Sequence, residues 1–382
     1  MKVVYLEEKE MVRVAVIDNG ICEKYIKGNI THYKIERNTV VKDMEHHTDQ
    51  LTHGTICAYI ISYIMEQVEI IDINAFDARY GSVDDVILAL EWCRNNSVSV
   101  INMSFGTVNF WEYSKMEYVI KKLSLENRYL VSAFHNFNIK SYPAAFEKVF
   151  GVRTDKGNTL KNGDYTFLAN QGLNKENTLV AHWDLQEWLG DLYKDKFPYR
   201  SSSFSVPVIT AYIARCLKEN PEEKFEGVLK YLEQNSVRKF CDADEINKVY
   251  TKLKLSIEIP VIAFMSEDSE SAIKLKQLFE QEGYEVAFVT EGEQGEESIP
   301  LYLYCDAVEV LTHEIVASIV HIYKSDILIF CLHENRFNTL KKGTIDIVVR
   351  LEADTYRIEY SHLSQCCNTI MEIYEGIQNL FV

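Results

Sequence analysis

Four polar residues stand out by type and by the pattern around them: Asp18, His53, Asn136 and Ser203. Ser203 belongs to the run Tyr199-Arg200-Ser201-Ser202-Ser203-Phe204-Ser205-Val206-Pro207, which leads into the apolar stretch Val208 to Ala214. Small hydroxyl residues entering a helical pattern, with a proline near the first turn, mark a helix N-terminus, where backbone N–H groups lack internal partners. Most such serines only cap the helix. A serine there also sits where N–H groups and the positive end of the helix dipole stabilise negative charge on a substrate oxygen. Its hydroxyl is a poor nucleophile near pH 7. It needs an imidazole to take its proton, a carboxylate to fix the imidazole's tautomer, and donors for the oxyanion. His53, Asp18 and Asn136 are of the types that fill those roles. Together they could carry out acyl transfer at a carbonyl, and Asp, His, Ser is one of three common chain orders for such a set.

These side chains need a framework that brings distant residues to one edge. Val12 to Ile17 is an apolar, β-branched run ending in Asp18-Asn19-Gly20, the pattern of a buried parallel strand with a carboxylate at its C-terminal end. Thr52 can cap a helix that opens at His53 and carries Ile56, Cys57, Ile60, Ile61 and Ile64. Further strands are expected at Val68–Ile73, Val98–Phe105, Tyr129–Phe134 and Phe146–Val152, with helices from Ser82 to Trp92 and from Glu117 to Leu125. Strands and helices alternating at this spacing imply a parallel sheet with helices on both faces. The four residues then fall at strand ends or helix N-termini of one sheet.

Five short motifs carry a resemblance to the subtilisin-like serine peptidases. They are Val-Ile-Asp18-Asn-Gly, His53-Gly-Thr, Asn102-Met-Ser104-Phe-Gly106, Val-Ser-Ala-Phe-His-Asn136 and Ser-Ser-Ser203-Phe-Ser-Val-Pro207. They occur in the family's order, and the likeness covers roughly residues 10 to 218. The resemblance implies that Ser203 attacks the peptide carbonyl while His53 acts as base and then acid. It implies that Asp18 orients His53, and that Asn136 and the Ser203 N–H hold the oxyanion. Ser104, Phe105 and Gly106 would pair with an extended substrate as an added strand, and Ala133, Phe134, His135 and the Tyr142-Pro143-Ala144 turn would wall the adjacent pocket. It implies no cofactor and no catalytic metal, and no stretch matches the family's calcium sites.

Several positions depart from the family pattern. Ser201 replaces the glycine two places before the nucleophile and is expected to be strained if that position needs φ > 0. His135 replaces the glycine before the asparagine, which either makes the pocket floor bulkier and polar or turns the ring to solvent. Cys57 lies one helical turn after His53 and reads as a packed small residue. His46 and His47, among Asp43, Glu45 and Asp49, read as a solvated loop rather than a metal site.

Composition limits the partners. A net charge of −17 argues against a nucleic-acid-binding surface or docking on acidic lipid and is compatible with basic peptides or proteins as partners, while the resemblance implies a peptide or protein substrate. The nine cysteines show no paired metal-ligand spacing, so most read as reduced core residues, with Cys366-Cys367 expected on a helix face. No signal-peptide pattern and no apolar run of membrane-spanning length occur. About a dozen residues precede the first strand, so an inhibitory propeptide is not expected and the protein reads as cytoplasmic.

The fold class is therefore α/β, with a subtilisin-like peptidase domain over 1–220, a helical linker over 221–256 and a smaller Rossmann-like α/β domain over 257–382. In the last, strands are expected at Val261–Phe264, Val286–Val289, Leu301–Tyr304, Ile327–Leu332 and Ile345–Val349, with helices over Ser269–Glu282, His313–Tyr323 and Leu363–Phe381. The loop Ser266-Glu267-Asp268 lacks the glycines and lysine of a phosphate cradle, so the domain reads as a module for dimerisation or for docking substrate or partners. The expected function is serine endopeptidase activity that matures a restricted peptide, such as the leader of a ribosomally made natural product. The alternatives are general intracellular protein turnover and a peptide-binding scaffold that has lost turnover.

Overall fold

The computed structural model describes residues 11–45, 48–76, 81–108, 112–136, 141–157, 159–168, 178–189, 197–198, 200–237, 257–265, 269–291, 298–301, 311–338, 340, 343–352, 355–361 and 363–381. The chain divides into two compact units: Met1–Thr107 with Glu112–Tyr250, and Val108–Trp111 with Thr251–Val382.

In the first unit, the central strand β1 (Val12–Asp18) lies between β4 (Val68–Asn74) and β5 (Val100–Met103), parallel to both. The sheet continues through β6 (Tyr129–Ala133), β7 (Val149–Thr154) and β9 (Thr178–Ala181) on one side and β2 (Ile30–Glu36) on the other. Antiparallel neighbours close both margins: β3 (Thr39–Lys42) on β2 and β8 (Tyr165–Phe167) on β9. Every strand described between these margins runs parallel, as crossover helices require.

Alternate residues of β1 feed opposite faces, so a nearly continuous apolar run is the expected signature. Val14 and Val16 join a core with α1 (His53–Ile64) and α5 (Ser202–Glu219). Ala15 and Ile17 join another with α2 (Val83–Asn95) and α3 (Tyr113–Leu125). A short α4 (Gln186–Leu189) precedes α5, and α6 (Phe225–Asn235) follows it. Val228 and Leu232 of α6 are buried in the core that α1 and α5 share, so this segment packs as part of the unit it follows.

In the second unit the strand order is β12-β11-β13-β10-β14-β15-β16. Strands β10 (Val261–Met265), β11 (Val286–Thr290), β12 (Ile299–Pro300), β13 (Ile327–Cys331) and β14 (Ile347–Glu352) pair in parallel. Helices α7 (Ser269–Gln281) and α9 (Ile370–Phe381) supply Leu275, Phe279, Ile373 and Ile377 to its core, and α8 (His313–Tyr323) precedes β13. The helix expected from Leu363 begins only at Ile370. Residues Leu363–Cys367 form strand β16, antiparallel to β15 (Thr355–Tyr360), which itself pairs with β14. The run Thr355 to Tyr360 is β-branched and aromatic at alternate places, and tertiary pairing with it draws the next segment into the sheet. Cys366 and Cys367 consequently point to opposite faces, one exposed and one buried, instead of sharing a helix face. His46, His47, Cys241, Cys305, Ser266 to Asp268 and most of the strand expected at Leu301–Tyr304 lie outside the described residues. Among those described, no helix is long and apolar enough to cross a membrane.

What positions the site is the entry of α1. Thr52 caps it: its Oγ1 accepts from Thr55 N at 3.0 Å and donates to Gly20 O at 2.5 Å, tying the helix start to the turn after β1. Gly54 makes the approach close enough. A Cβ there would lie 2.7 Å from Gly20 O and 3.0 Å from Asp18 Cβ, both on a buried backbone turn that cannot move aside cheaply. Gly54→Ala is therefore expected to cost about 1–3 kcal/mol of stability and to displace His53 from Asp18. Thermal unfolding and turnover of the variant, measured side by side, check both effects.

Candidate active site

Asp18 ends β1 and is almost wholly buried. Its two oxygens are divided between two donors: Oδ1 accepts from Asn19 N at 2.9 Å, and Oδ2 lies 2.8 Å from His53 Nδ1. Asn19 returns the favour to the helix, its Oδ1 accepting from Gly54 N at 3.1 Å. The imidazole is thereby fixed with Nδ1 toward the carboxylate and Nε2 turned outward, the tautomer a base needs for a proton arriving from the other side. Burial pulls the His53 pKa down. The Asp18 carboxylate, with Cys57 beside the ring, overrides that and holds it well above 6.5.

Ser203 stands in the first turn of α5, half-buried, and Phe204 next to it lies under the imidazole, ring centres 5.1 Å apart. Pro207 falls one turn into the helix and has no N–H, so the Ser203 carbonyl loses its usual partner four residues on. Cys57 occupies that space. Its Sγ is 3.8 Å from Ser203 O, 3.2 Å from Ser104 Oγ and 3.9 Å from His53 Nδ1. The thiol is fully buried, as a packed small residue should be, and it links both helices to β5. Ser205 anchors α5 further, donating to Ala181 O at 2.8 Å.

Ser201 is not strained. Its φ of −157° and ψ of 160° are extended, and its side chain does not cap α5. The hydroxyl instead lies 2.5 Å from Ser203 Oγ. Among the described residues His53 is not a hydrogen-bond partner of Ser203; the nucleophile candidate is turned to Ser201.

Asn136 follows β6 and is exposed, with its Oδ1 accepting from Ser202 N at 2.9 Å. That bond aims the amide at the start of α5 and leaves its NH₂ as the donating end. Beside it, Gly106 runs so close to Ala133 O that a Cβ would sit 3.0 Å away. Thr107 and Tyr142 exchange two backbone bonds of 2.8 Å, which brings the Tyr142-Pro143 turn against the Ser104-Phe105-Gly106 segment. Ser132 Oγ donates to Phe105 O at 3.1 Å, holding that segment along β6. Ser104, Ala133 and Phe134 are buried, Phe105 is half-buried and Gly106 exposed. The expected substrate-binding residues are thus gathered along neighbouring strand ends.

His135 is half-buried, its N–H donating to Ser141 Oγ at 2.9 Å. Burial first, then the charges of Lys156 and Arg153, push its pKa down to about 4, so the ring is neutral at pH 7. Lys156 hydrogen-bonds the Asn136 carbonyl, and Arg153 lies 4.3 Å over the Phe134 ring. Burial and Arg153 lower Lys156 to about 8. Asp155 shapes this turn by accepting from the N–H groups of Gly157, Thr159 and Leu160. Sequence reading passed over Arg153, Asp155 and Lys156, because nothing in the sequence announces that the end of β7 meets the end of β6.

It also passed over a second acidic–imidazole cluster. Asp72, fully buried on β4, lies 2.7 Å from His32 Nδ1, and His32 Nε2 lies 2.8 Å from Glu23. Asp72 Oδ2 accepts as well from Ile21 N at 3.0 Å, which steadies the turn after Asp18. The one available signal was an aspartate inside the apolar run Ile70-Ile71-Asp72-Ile73. Among the described residues one group of three could offer atoms to a metal ion: Asp18, His53 and Cys57, within 4.8 Å of one another. Asp18 and His53 are there already joined as an acid–base pair.

The model of the subtilase family (peptidase S8) matches residues 9–247. Similar solved structures include the prenylagaramide maturation protease PagA, with 19% identity, 57% of this chain and 80% of that chain covered, and a TM-score of 0.41. The epidermin leader peptide processing serine protease EpiP from Staphylococcus aureus shows 15% identity, 63% and 76% coverage and a TM-score of 0.44. A cold-adapted subtilisin-like serine proteinase shows 16% identity, 60% and 85% coverage and a TM-score of 0.42. A comparison with curated proteins returns no match.

The raised His53 pKa sets a pH dependence. The base form is the neutral ring, so turnover should rise with pH through a midpoint above 6.5. Asp18→Asn removes the carboxylate that raises it. The midpoint should move down and kcat should fall by about ten thousandfold, read from a pH–rate profile of both proteins.

Proposed function

The chain belongs to the subtilase family and is a serine endopeptidase, and on that premise we propose that Asp18, His53 and Ser203 are its catalytic triad. The observation that carries the reading is the 2.8 Å Asp18–His53 pair at the C-terminal edge of the central strand, with Phe204 bringing the start of α5 under the same imidazole. Ser203 Oγ attacks the carbonyl carbon of the scissile bond as His53 Nε2 takes its proton. The Ser203 N–H, at a helix start, and the Asn136 amide donate to the resulting oxyanion. His53 then gives the proton to the leaving amine, an acyl group remains on Ser203, and water releases it by the same route.

The substrate is an extended peptide that pairs with Ser104, Phe105 and Gly106 as an added strand. We read it as a restricted peptide, such as the leader of a ribosomally made natural product, rather than bulk protein. His135 supports this, since a half-buried neutral ring stands where the family motif has glycine. The C-terminal α/β domain, over 257–382, is read as a module for docking substrate or a second copy.

One observation favours the alternative of a scaffold without turnover: Ser203 Oγ is paired with Ser201 rather than with His53. Labelling by a fluorophosphonate serine-hydrolase probe, read by intact mass, separates the two. One adduct on the wild type and none on Ser203→Ala supports the peptidase; no adduct on folded wild-type protein supports the scaffold. With a cleavable peptide, Ser203→Ala should lower turnover by about a millionfold, and Asn136→Ala by roughly a hundred- to a thousandfold.

A further inference from the structure

The hydroxyl of Ser201 is 2.5 Å from that of Ser203 and 4% of the Ser201 residue surface is exposed. It makes no capping bond to α5, and its extended backbone carries no strain that would explain it as a turn device. What the side chain does is hold the neighbouring hydroxyl. In such a pair one oxygen donates and the other accepts, and a separation of 2.5 Å is at the short end for O–H···O. If Ser203 donates, its proton points to Ser201 and away from His53 Nε2, where the base must receive it. If Ser201 donates, it occupies a lone pair of the attacking oxygen. In the first arrangement the pair must break before Ser203 can give its proton to the imidazole; in the second, one of the two lone pairs of the attacking oxygen is taken up, which makes it a weaker nucleophile.

We propose that Ser201 is a positioning residue that holds Ser203 in a resting orientation, released when an extended peptide fills the strand-pairing segment Ser104 to Gly106, which Cys57 Sγ joins to Ser203 O. The inference rests on the reading of Ser203 as nucleophile. Its consequence is selectivity of a kinetic kind. A peptide bound along Ser104 to Gly106 brings binding energy that can be spent on breaking the pair, and a small electrophile does not. The protein is therefore slow toward small acylating agents and closer to full rate on a peptide it binds.

The test uses the full chain with Ser201→Ala, Ser201→Gly and Ser201→Thr. Time courses of fluorophosphonate labelling give the rate constant for each, and a cleavable peptide gives kcat and KM. Replacing one hydrogen bond of ordinary strength predicts labelling about two- to tenfold faster for Ser201→Ala and Ser201→Gly. Ser201→Thr keeps the hydroxyl and should label at the wild-type rate. On the bound peptide the gap in kcat should be smaller than the gap in labelling. The pH midpoint set by His53 should not move, because Ser201 does not touch the ring. Ser201→Ala and Ser201→Gly labelling no faster than wild type would overturn the inference while leaving Ser203 as nucleophile. Absence of labelling in every protein, wild type included, would overturn both. Because the glycine and threonine variants bracket the change in size, a failure of any one to fold leaves the comparison decisive.

Discussion

The site depends on one close approach, that of the first turn of α1 to the last residue of β1. At Gly54 the two backbones come so near that a single methyl group would meet Gly20 O and Asp18 Cβ. That contact brings His53 Nδ1 to 2.8 Å from Asp18 and lets Thr52 and Asn19 knit the strand turn to the helix start. An imidazole set by a buried carboxylate acquires both a fixed tautomer and a raised pKa. Neither follows from having the two residue types in the chain; both follow from the distance.

Beneath this pair runs a continuous polar path between α5, β5 and α1. Thr210 Oγ1 on α5 donates to Asn102 Oδ1 on β5 at 2.9 Å, and Asn102 Nδ2 donates to Ser104 Oγ at 2.9 Å. Ser104 Oγ receives Cys57, whose thiol also reaches the carbonyl that Pro207 leaves without a helical donor. Each buried group would cost free energy if unmet, so the path fixes α1, α5 and the Ser104–Gly106 segment in one relative placement. Cys57 is best understood as part of that path. Its place beside His53 is a consequence of closing it.

Charge is used differently on the other side of the site. In a chain of net charge −17, Arg153 and Lys156 gather against β6, one over Phe134 and the other on the Asn136 carbonyl. Burial, reinforced by these two charges, keeps His135 neutral at pH 7, and the charges bring positive potential to the region where an oxyanion would form. The turn that presents Lys156 is held by the buried Asp155 carboxylate, which accepts from the backbone N–H groups of Gly157, Thr159 and Leu160.

Around the site, local signals in the chain specify which elements form and which ends they expose. The β-branched run before Asp18, the capped helix at His53 and the serines entering α5 each carry their signal within a few residues, where local propensity, capping and hydrophobic period operate. The sequence therefore placed the fold class and all four polar residues on strand ends or helix starts. It did not reach the strand Leu363–Cys367, whose conformation is decided by pairing with Thr355–Tyr360 rather than by its own composition. Nor did it reach the extended Ser201, the His32–Asp72 pair or the meeting of Lys156 with Asn136. Those are contacts between segments distant in sequence, or torsions set by them. That Ser203 Oγ pairs with the serine two residues before it was settled by tertiary structure, because a side chain's orientation is chosen by the neighbours that the whole fold brings within hydrogen-bond reach.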